Sequence, residues 1–314
     1  MEVETVQIWV PTQRVAELLT AAGLAPGVEL EVVDAGAADP DALPASAATV
    51  EGLVTPMVVP PGIGAVLRRL PRLRVVQAQN AGVERIVREV PEGVLLYGAR
   101  GVPTPATAEW VCAVVLAMVR ELPRFAEQAA RHVWETAWTG TLEGATVLVV
   151  GAGSIGEAVE ARLTPFGARF LRVARRARPG VAGFEQLPEL VGQADVVVIA
   201  VPLTAATRHL VDADFLARLR PGALLVNVAR GPVVDTDALV EHLRAGRGRA
   251  ALDVTDPEPL PVDHPLWDAP NLLLTPHVAG SAASWEPRFG ALVAPRLSAL
   301  ARGEVPEGYV TEGY

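Results

Sequence analysis

Three polar residues in the second half of the chain, Arg230, Glu258 and His277, have side chains that together suit one reaction. The imidazole of a histidine can give a proton to a carbonyl oxygen near neutral pH. A carboxylate beside that ring fixes its tautomer and stabilises its protonated form. A guanidinium can hold a substrate carboxylate through two parallel hydrogen bonds while it polarises the neighbouring carbonyl group. The set therefore suits the reduction of a 2-oxo acid by a hydride donor.

Each of these residues also has an ordinary structural explanation. His277 follows a proline and could lie in a surface loop, and Glu258 lies between prolines, where it could simply be solvated. Arg230 could cap a strand. All three nevertheless follow short apolar runs that are typical of strands, as does Asp253. Because open α/β sheets bind ligands beyond the carboxyl ends of their strands, this placement favours a shared site.

A glycine-rich turn is the clearest local motif. The run 146–150 is apolar and β-branched, as in a buried strand, and Gly151, Gly153 and Gly156 follow at the spacing G-x-G-x-x-G. A helical segment and a second strand at 170–173 come next. A glycine turn lets the backbone approach a pyrophosphate, and the helix N-terminus beyond it offers free N–H groups. The glycines alone fit an ordinary turn, but the strand–turn–helix–strand context predicts a dinucleotide site.

The end of that second strand indicates which dinucleotide is bound. NAD-binding units usually place an acidic residue about 20 residues beyond the glycines, where it binds the ribose 2′-hydroxyl. Here the region contains Arg175 and Arg176 and no carboxylate. Because guanidinium groups bind phosphate well, we expect NADP(H) to be preferred over NAD(H). The alternative is a solvated arginine pair in an arginine-rich chain.

The pattern of the whole chain predicts an α/β fold. Apolar runs of strand length alternate with helical segments in both halves, which favours parallel sheets with helices on both faces. Strands are expected at 6–10, 28–33, 49–55, 74–78 and 94–97, and again at 146–150, 170–173, 195–201, 223–228, 250–252 and 271–274. Between the two sets, 106–121 is predicted to be a long helix, apolar almost all round and therefore buried. Cys112 within it is expected to be a small buried core residue.

Composition argues against several classes of protein. The net charge is −9 and no basic stripe emerges, so a nucleic-acid partner is not expected. No apolar run reaches the ~18–20 residues of a membrane span. The first residues do not resemble a signal peptide, so we expect a cytoplasmic protein. The sequence contains no lysine, which rules out lysine-based catalysis, and no metal site is expected.

From about residue 72 onward, and more loosely before it, the sequence resembles the D-isomer-specific 2-hydroxyacid dehydrogenases. The motifs that carry the resemblance are V-G-A-G-S-I-G at 150–156, V-P-L-T-x-x-T at 201–207, L-R-P-G-A-L-L-V-N-V-A-R-G at 219–231, A-L-D-V-T-D-P-E-P-L-P at 251–261 and N-L-L-L-T-P-H-V-A-G at 271–280. Together they are far more specific than the glycine motif alone.

The resemblance implies a role for each residue of the set. The arginine that grips the substrate carboxylate and carbonyl falls on Arg230, the catalytic glutamate on Glu258 and the acid/base histidine on His277. The family's carboxylate-binding backbone amides fall on Ala81, Gly82 and Val83, with Glu84 where an aspartate is usual. Together with Arg175 and Arg176, the implied cofactor-binding residues are Thr107, Gly151, Gly153, Ser154, Ile155, Gly156, Val201, Pro202, Thr207, Val228, Ala229, Asp253 and Gly280.

The family fold implies two Rossmann-like or flavodoxin-like parallel-sheet domains with an interdomain active-site cleft. A cofactor domain at 101–284 would be inserted into a substrate domain made of 1–100 and 285–314. The helix at 106–121 matches the family's dimerisation region, so a homodimer through the cofactor domain is expected. Within the family, the arginine pair and P-F-G-A-R-F-L look most like the glyoxylate/hydroxypyruvate reductase branch.

The sequence leaves more than one function open. The first hypothesis is an NADP(H)-dependent 2-oxo acid reductase, and the second is a non-catalytic nucleotide-sensing protein, such as the corepressors built on this fold. A relative acting on formate or phosphite is a third, although formate chemistry has no need of the histidine.

The sequence does not indicate which 2-hydroxy acid is the substrate or in which direction the reaction runs. It also leaves open the roles of Trp134, Trp138, Trp285 and Arg288. Trp134 or Trp138 could reach a partner subunit's pocket or could equally anchor the dimer loop, and an interdomain core position is favoured for Trp285.

Overall fold

The computed structural model describes residues 5–310, which form two compact units. The first contains the chain up to Pro103 together with the residues from Ala283 onward, and the second is Thr104–Ala282. Each unit has one parallel sheet, with five strands in the first and seven in the second. The predicted α/β class with two parallel-sheet domains is thereby confirmed.

Strands and helices alternate along both units and are numbered here in chain order. The strands are β1 (Val6–Val10), β2 (Val28–Val32), β3 (Gly52–Val54), β4 (Val75–Gln77), β5 (Leu95–Tyr97), β6 (Thr146–Val150), β7 (Arg169–Ala174), β8 (Ala182–Gly183), β9 (Val196–Ile199), β10 (Leu224–Asn227), β11 (Arg249–Leu252) and β12 (Leu272–Leu274). The helices are α1 (Gln13–Ala21), α2 (Ile63–Leu67), α3 (Thr104–Val119), α4 (Leu122–Ala130), α5 (Ser154–Leu163), α6 (Leu187–Val191), α7 (Ala213–Arg218), α8 (Thr236–Arg244) and α9 (Trp285–Ala301). Sequence reasoning missed β8 and α6, because elements this short carry no readable period.

The sheet of the first unit has the strand order β2-β1-β3-β4-β5, with every pairing parallel. This is the flavodoxin-type doubly wound order. Alternate residues of β1 pack into two different cores, Trp9 on one face and Ile8 on the other, and both are fully buried. Both faces of β1 are covered, which is why four of its five residues are apolar; the exception, Gln7, is half-buried and its side-chain amide donates to the carboxylate of Glu31 at 3.0 Å.

The start of α9 packs within the first unit. Trp285 stacks on Phe289 with the ring centroids 4.6 Å apart and the planes 12° apart, and Phe289 is fully buried. Arg288 donates hydrogen bonds to the carbonyl oxygens of Gly101 and Val102 at 3.1 and 3.2 Å. Trp285 and Arg288, whose roles the sequence left open, therefore both have structural contacts inside this unit.

The sheet of the second unit has the order β12-β11-β10-β9-β6-β7-β8. All its pairings are parallel. The chain starts at β6, runs outward through β7 to β8, then returns to β9 and runs outward the other way. This is the Rossmann order, in which the switch point lies between β6 and β9. Buried aliphatic clusters cover both faces of the sheet.

The long helix α3 is less buried than its composition predicts. Val111 and Val115 are fully buried in a hydrophobic core of the second unit, whereas Ala113 is exposed and Trp110 and Cys112 are half-buried. Cys112, predicted to be a small buried core residue, packs against this core but is only half-buried, and this partial burial raises the pKa of its thiol. A helix that is apolar all round leaves an apolar face uncovered in a single copy of this chain.

A histidine on α8 is buried with one ring nitrogen unpaired. The Nε2 atom of His242 has no hydrogen-bond partner among residues 5–310. Gly248 packs so tightly against it that a Cβ there would lie 2.7 Å from this nitrogen. Burial, and secondarily the charge of Arg247, lowers the pKa of His242 from its ordinary value of 6.5. The folded protein therefore favours the neutral ring.

Acid should destabilise the fold through this ring. The unfolded chain takes up the proton near pH 6.5 while the folded chain resists it, so the free energy of unfolding should fall as the pH drops below that value. The free energy of unfolding should stop falling once the pH is below the lowered pKa of His242 in the folded protein, because both states then carry the proton. His242→Leu should lose this part of the pH dependence, whereas His132→Asn, at an exposed histidine, should keep it. Urea unfolding across this range measures the effect, and identical pH dependence in the wild type and His242→Leu would contradict it.

Candidate active site

Three neighbouring strands of the second unit end at the same edge of their sheet. β10, β11 and β12 are adjacent and parallel, with Asn227 in register with Leu252, and Leu252 in register with Leu274. Their carboxyl ends therefore lie side by side, which is where an open α/β sheet binds ligands. The segments that leave this edge carry Arg230, Asp253, Glu258 and His277.

A fully buried asparagine shapes the turn that carries Arg230. The side-chain amide of Asn227 donates to the carbonyl oxygen of Arg230 at 3.1 Å, and its oxygen accepts from the N–H of Ala229 at 3.0 Å. The guanidinium of Arg230 donates to the carbonyl oxygen of Ala229 at 2.7 Å. Because the buried Asn227 amide forms hydrogen bonds with two backbone groups of this turn, it restricts the turn's backbone. The turn therefore holds Arg230 at a defined position.

The residue after Arg230 packs against the loop that leads to Glu258. Gly231 approaches Thr255 so closely that a Cβ on it would lie 1.8 Å from the Thr255 carbonyl oxygen. Only a residue without a side chain permits this contact. The contact therefore places the Arg230 turn beside the loop that carries Glu258.

Two threonines hold the backbone that precedes Glu258. The hydroxyl of Thr236, the first residue of α8, donates to the carbonyl oxygen of Asp256 at 2.9 Å. The hydroxyl of Thr255 donates to the carbonyl oxygen of Pro257 at 2.9 Å. The first bond ties the proline-rich loop to α8 and the second lies within the loop, and together they limit where Glu258 can point.

The side chains of His277 and Glu258 form a direct hydrogen bond. Nδ1 of the imidazole lies 2.7 Å from Oε1 of the carboxylate. An ionised carboxylate can only accept, so Nδ1 carries the proton in this bond and Nε2 is left to exchange a proton with a ligand. The two side chains are 46% and 33% exposed. The second unit thus presents an oriented and accessible imidazole.

A buried carboxylate holds the turn that carries His277. Asp253 is 3% exposed, and one of its oxygens accepts from the hydroxyl of Thr275 at 2.6 Å and from the N–H of Val278 at 2.8 Å. Its other oxygen accepts from the N–H of Ala279 at 2.9 Å. The backbone N–H of His277 donates to the Asp253 carbonyl oxygen at 2.7 Å. His277 has a left-handed φ of 55°, which is strained for a residue with a side chain, and these bonds maintain it.

The glycine loop after β6 has the shape that a dinucleotide pyrophosphate needs. Gly151 has a φ of 117°, and a Cβ on it would lie 2.3 Å from the Ala200 carbonyl oxygen. A Cβ on Gly156 would lie 2.4 Å from the carbonyl oxygen of Gly151. A Cβ on Gly153, by contrast, would meet nothing within 4 Å. The fold therefore requires glycine at the first and third positions. The second glycine faces open space at the N-terminus of α5, where a pyrophosphate could approach the backbone, so the residues present fit a dinucleotide cofactor.

Three of the predicted cofactor residues have side-chain hydrogen bonds within the second unit, and their role toward the cofactor stays a prediction. The hydroxyl of Ser154, the first residue of α5, lies 3.1 Å from the hydroxyl of Thr104 on α3. The hydroxyl of Thr207 donates to the carbonyl oxygen of Pro202 at 2.6 Å and accepts from the N–H of Thr204 at 2.8 Å. Thr207 is buried, and its hydroxyl therefore serves the turn after β9. Asp253 likewise has both carboxylate oxygens engaged in the histidine turn.

Arginine side chains follow β7 at the expected place. Arg175 and Arg176 come directly after this strand and are both exposed. Arg178, which sequence reasoning passed over, donates from Nη2 to the carbonyl oxygen of Ala152 in the glycine loop at 2.6 Å. Arg178 therefore contacts the glycine loop, while Arg175 and Arg176 lie just beyond the strand end at which the sequence predicts the 2′-phosphate.

The remaining predicted residues fall in both units. Ala81, Gly82 and Val83 follow β4 in the first unit, where the side chain of Asn80 donates to the carbonyl oxygen of Met57 at 2.5 Å. Their substrate-binding role stays a prediction. In the second unit, Thr107 is buried on α3, Ile155 is the second residue of α5, and Val201, Val228, Ala229 and Gly280 lie in the loops beyond β9, β10 and β12.

Sequence reasoning missed three residues that organise the site. Asn227 and Thr275 end or follow apolar strands, and a polar residue at that position is a signal that could have marked them. Arg178 gives no comparable signal, because its contact with the glycine loop depends on how the chain turns after β7.

Within residues 5–310, no helix combines the length and the apolar character needed to cross a membrane. The same residues contain no group of three or more histidine, cysteine, aspartate or glutamate side chains arranged to hold a metal ion.

Known proteins are similar to this chain in sequence. The protein-family model described as "D-isomer specific 2-hydroxyacid dehydrogenase, NAD binding domain" matches residues 112–279. The glyoxylate reductase of Thermofilum pendens is 35% identical over 264 residues, which cover 79% of this chain and 77% of that protein. The chain belongs to the D-isomer-specific 2-hydroxyacid dehydrogenase family. The resemblance predicted from the motifs is confirmed.

Solved structures of the same family have the same fold as this dehydrogenase. A D-isomer specific 2-hydroxyacid dehydrogenase from Xanthobacter autotrophicus Py2, in complex with NADPH and MES, has a TM-score of 0.84 at 30% identity and covers 97% of this chain and 98% of its own. An NADPH-dependent glyoxylate/hydroxypyruvate reductase from Sinorhizobium meliloti, in complex with NADP and malonate, has a TM-score of 0.79 at 28% identity and covers 98% of each chain. This dehydrogenase is a 2-hydroxy acid/2-oxo acid oxidoreductase of the glyoxylate/hydroxypyruvate reductase branch.

Replacing the buried carboxylate should impair both folding and turnover of the dehydrogenase. In Asp253→Asn an N–H₂ group replaces one acceptor and leaves a buried donor unsatisfied, which should lower the free energy of unfolding by about 1–3 kcal/mol. The turn that carries His277 should lose its restraint, and kcat should fall by roughly 10²-fold. Asp263→Asn, at an exposed aspartate, is the matched control and should change neither quantity. Wild-type kcat and stability in Asp253→Asn would show that the carboxylate does not hold the turn.

Proposed function

We propose that this dehydrogenase reduces a small 2-oxo acid to the D-2-hydroxy acid and prefers NADPH as hydride donor. The observation that carries the proposal is the 2.7 Å bond between Nδ1 of His277 and Oε1 of Glu258. It leaves Nε2 of an accessible imidazole for proton transfer to a substrate oxygen. Carbonyl reduction at neutral pH requires such a proton donor.

Each residue of the proposed catalytic set has one task. The guanidinium of Arg230 binds the substrate carboxylate and polarises the adjacent carbonyl group. When bound, the nicotinamide supplies the hydride. His277 gives the proton on Nε2 to the carbonyl oxygen, while Glu258 accepts from Nδ1, stabilises the protonated ring and keeps it in one orientation. In the oxidative direction the same nitrogen accepts the hydroxyl proton.

The preference for NADPH rests on the arginines after β7. Arg175 and Arg176 are exposed, which leaves their guanidinium groups available to a phosphate. Two solved relatives are described as NADPH or NADP complexes, which supports the same cofactor here. The family also uses NAD, so the arginine pair is the specific basis of this proposal.

Glyoxylate and hydroxypyruvate are the proposed substrates. The relatives named above include a glyoxylate reductase and a glyoxylate/hydroxypyruvate reductase, which supports this choice. The alternative of a non-catalytic nucleotide sensor is not favoured, because these relatives are named as enzymes and the set of Arg230, Glu258 and His277 is intact. A cytoplasmic location stays a prediction from the sequence.

A screen of substrates and nucleotides tests the proposal. Steady-state kinetics with glyoxylate, hydroxypyruvate, pyruvate and a bulkier 2-oxo acid should give the highest kcat/KM with one of the first two, and with NADPH rather than NADH. His277→Ala should lower kcat by about 10²–10⁴-fold, the usual contribution of a general acid, with little change in nucleotide affinity. A higher kcat/KM with NADH would reject the cofactor preference. Retained turnover in His277→Ala would remove this residue from the mechanism.

The exposed tryptophans after α4 support a homodimer through the second unit. The side chains of Trp134 and Trp138 are 95% and 101% exposed, and Leu122 nearby in the chain is 55% exposed. The apolar helix α3 in the same unit also leaves Ala113 exposed and Trp110 only half-buried. Large aromatic side chains that a single chain leaves wholly in water are typical of an interface. A second copy of this chain is the occupant we propose.

Removing both indoles should weaken that dimer. In sedimentation velocity at micromolar concentration, the wild type should have the mass of two chains, and Trp134→Ser combined with Trp138→Ser should shift it toward one chain. Trp267→Ser removes a tryptophan that is 54% exposed elsewhere in the same unit and should leave the dimer intact. A monomeric wild type, or a double variant with unchanged mass, would reject the proposed interface.

A further inference from the structure

One arginine outside the glycine motif fixes the orientation of a peptide group inside it. Nη2 of Arg178 donates to the carbonyl oxygen of Ala152 at 2.6 Å. That oxygen belongs to the same peptide group as the N–H of Gly153. Because a trans peptide is planar, with its C=O and N–H pointing in opposite directions, holding the oxygen also sets the direction of the N–H.

Arg178 is itself held in a tight hairpin. The backbone N–H of Arg178 donates to the carbonyl oxygen of Val181 at 2.9 Å, and the N–H of Val181 donates back at 2.8 Å. Pro179 and Gly180 form the turn between them, and Gly180 has a left-handed φ of 76°, which glycine adopts without strain. We refer to residues 178–181 as the Arg178 hairpin. The hairpin fixes the point from which the Arg178 side chain extends.

The Arg178 hairpin is tied to the helix that begins at the glycine loop. Arg172 on β7 donates to the carbonyl oxygen of Gly180 at 3.4 Å and forms an ion pair with Glu160 on α5. A series of contacts therefore runs from α5 through β7 and the hairpin to Ala152. The glycine loop and the helix that follows it are connected through this series.

We propose that Arg178 is a positioning residue that holds the glycine loop ready for the pyrophosphate of either nucleotide. The inference rests on the proposed nucleotide site. A Cβ on Gly153 would meet nothing within 4 Å, so the peptide that Arg178 orients borders open space. The pyrophosphate is common to NADH and NADPH, whereas the 2′-phosphate is present in NADPH alone. Arg178 sets the affinity for both nucleotides, and Arg175 and Arg176 set the choice between them.

Binding of both nucleotides to matched arginine variants tests this division. Titration calorimetry without substrate measures Kd for NADPH and NADH separately. Arg178→Gln should weaken both by about tenfold and leave their ratio unchanged, because a charged hydrogen bond to the loop is lost. Arg178→Lys keeps a donor and should recover part of the affinity. Arg175→Gln combined with Arg176→Gln should weaken NADPH binding selectively.

Arg169→Gln is the matched structural control. Arg169 is the first residue of β7 and lies at the end of that strand away from the Arg178 hairpin. Like Arg178, it donates to a backbone carbonyl oxygen, that of Gly144, at 2.8 Å. Loss of that bond should leave both Kd values unchanged. A general loss of structure in Arg178→Gln would lower its melting temperature, which should instead match that of the wild type.

Two results would overturn the inference while the proposed function stands. Weakened binding of NADPH alone in Arg178→Gln would mean that Arg178 binds the 2′-phosphate. Unchanged binding of both nucleotides would mean that the loop does not need the contact. A wild type that binds neither nucleotide would overturn the proposed function itself, and this inference with it.

Discussion

The buried carboxylate of Asp253 is the interaction on which the catalytic arrangement depends. It accepts from one hydroxyl and two backbone N–H groups of the turn after β12, and the carbonyl oxygen of the same residue accepts from His277. Such a turn, with a histidine in a left-handed conformation, would otherwise relax. A buried anion that satisfies several donors at once is a strong restraint, because releasing any donor leaves it unpaired. Asp253 follows β11, so it links two neighbouring strand ends.

The parallel sheet explains how residues far apart in the chain share one site. β10, β11 and β12 are adjacent and in register, and each contributes one polar segment at the same edge. Gly231 brings the first segment against the second, and the bond between Glu258 and His277 joins the second to the third. On the other side of β9, the glycine loop occupies the switch point of the same sheet. One sheet edge therefore carries both the nucleotide cradle and the proposed proton donor.

The sequence predicted the parts of this structure that follow from local pattern. Strand and helix alternation gave the parallel sheets, and glycine spacing gave the turn after β6. The resemblance to a known family located Arg230, Glu258 and His277. Contacts that depend on three-dimensional packing could not be predicted from the sequence. One of them is the hydrogen bond by which the hydroxyl of Thr207 closes its own turn; the cofactor-binding role of Thr207 stays a prediction. Cys112 was expected in the core, yet the apolar helix that carries it is only partly covered within one copy of the chain.

The proposed mechanism treats Glu258 and His277 as one proton-delivering unit, and a double-mutant cycle on kcat tests this most directly. If Glu258 acts only through the imidazole, Glu258→Gln should slow turnover, and adding it to His277→Ala should slow turnover no further. Two effects that multiply in the double variant would contradict the pairing and would require a separate task for the glutamate.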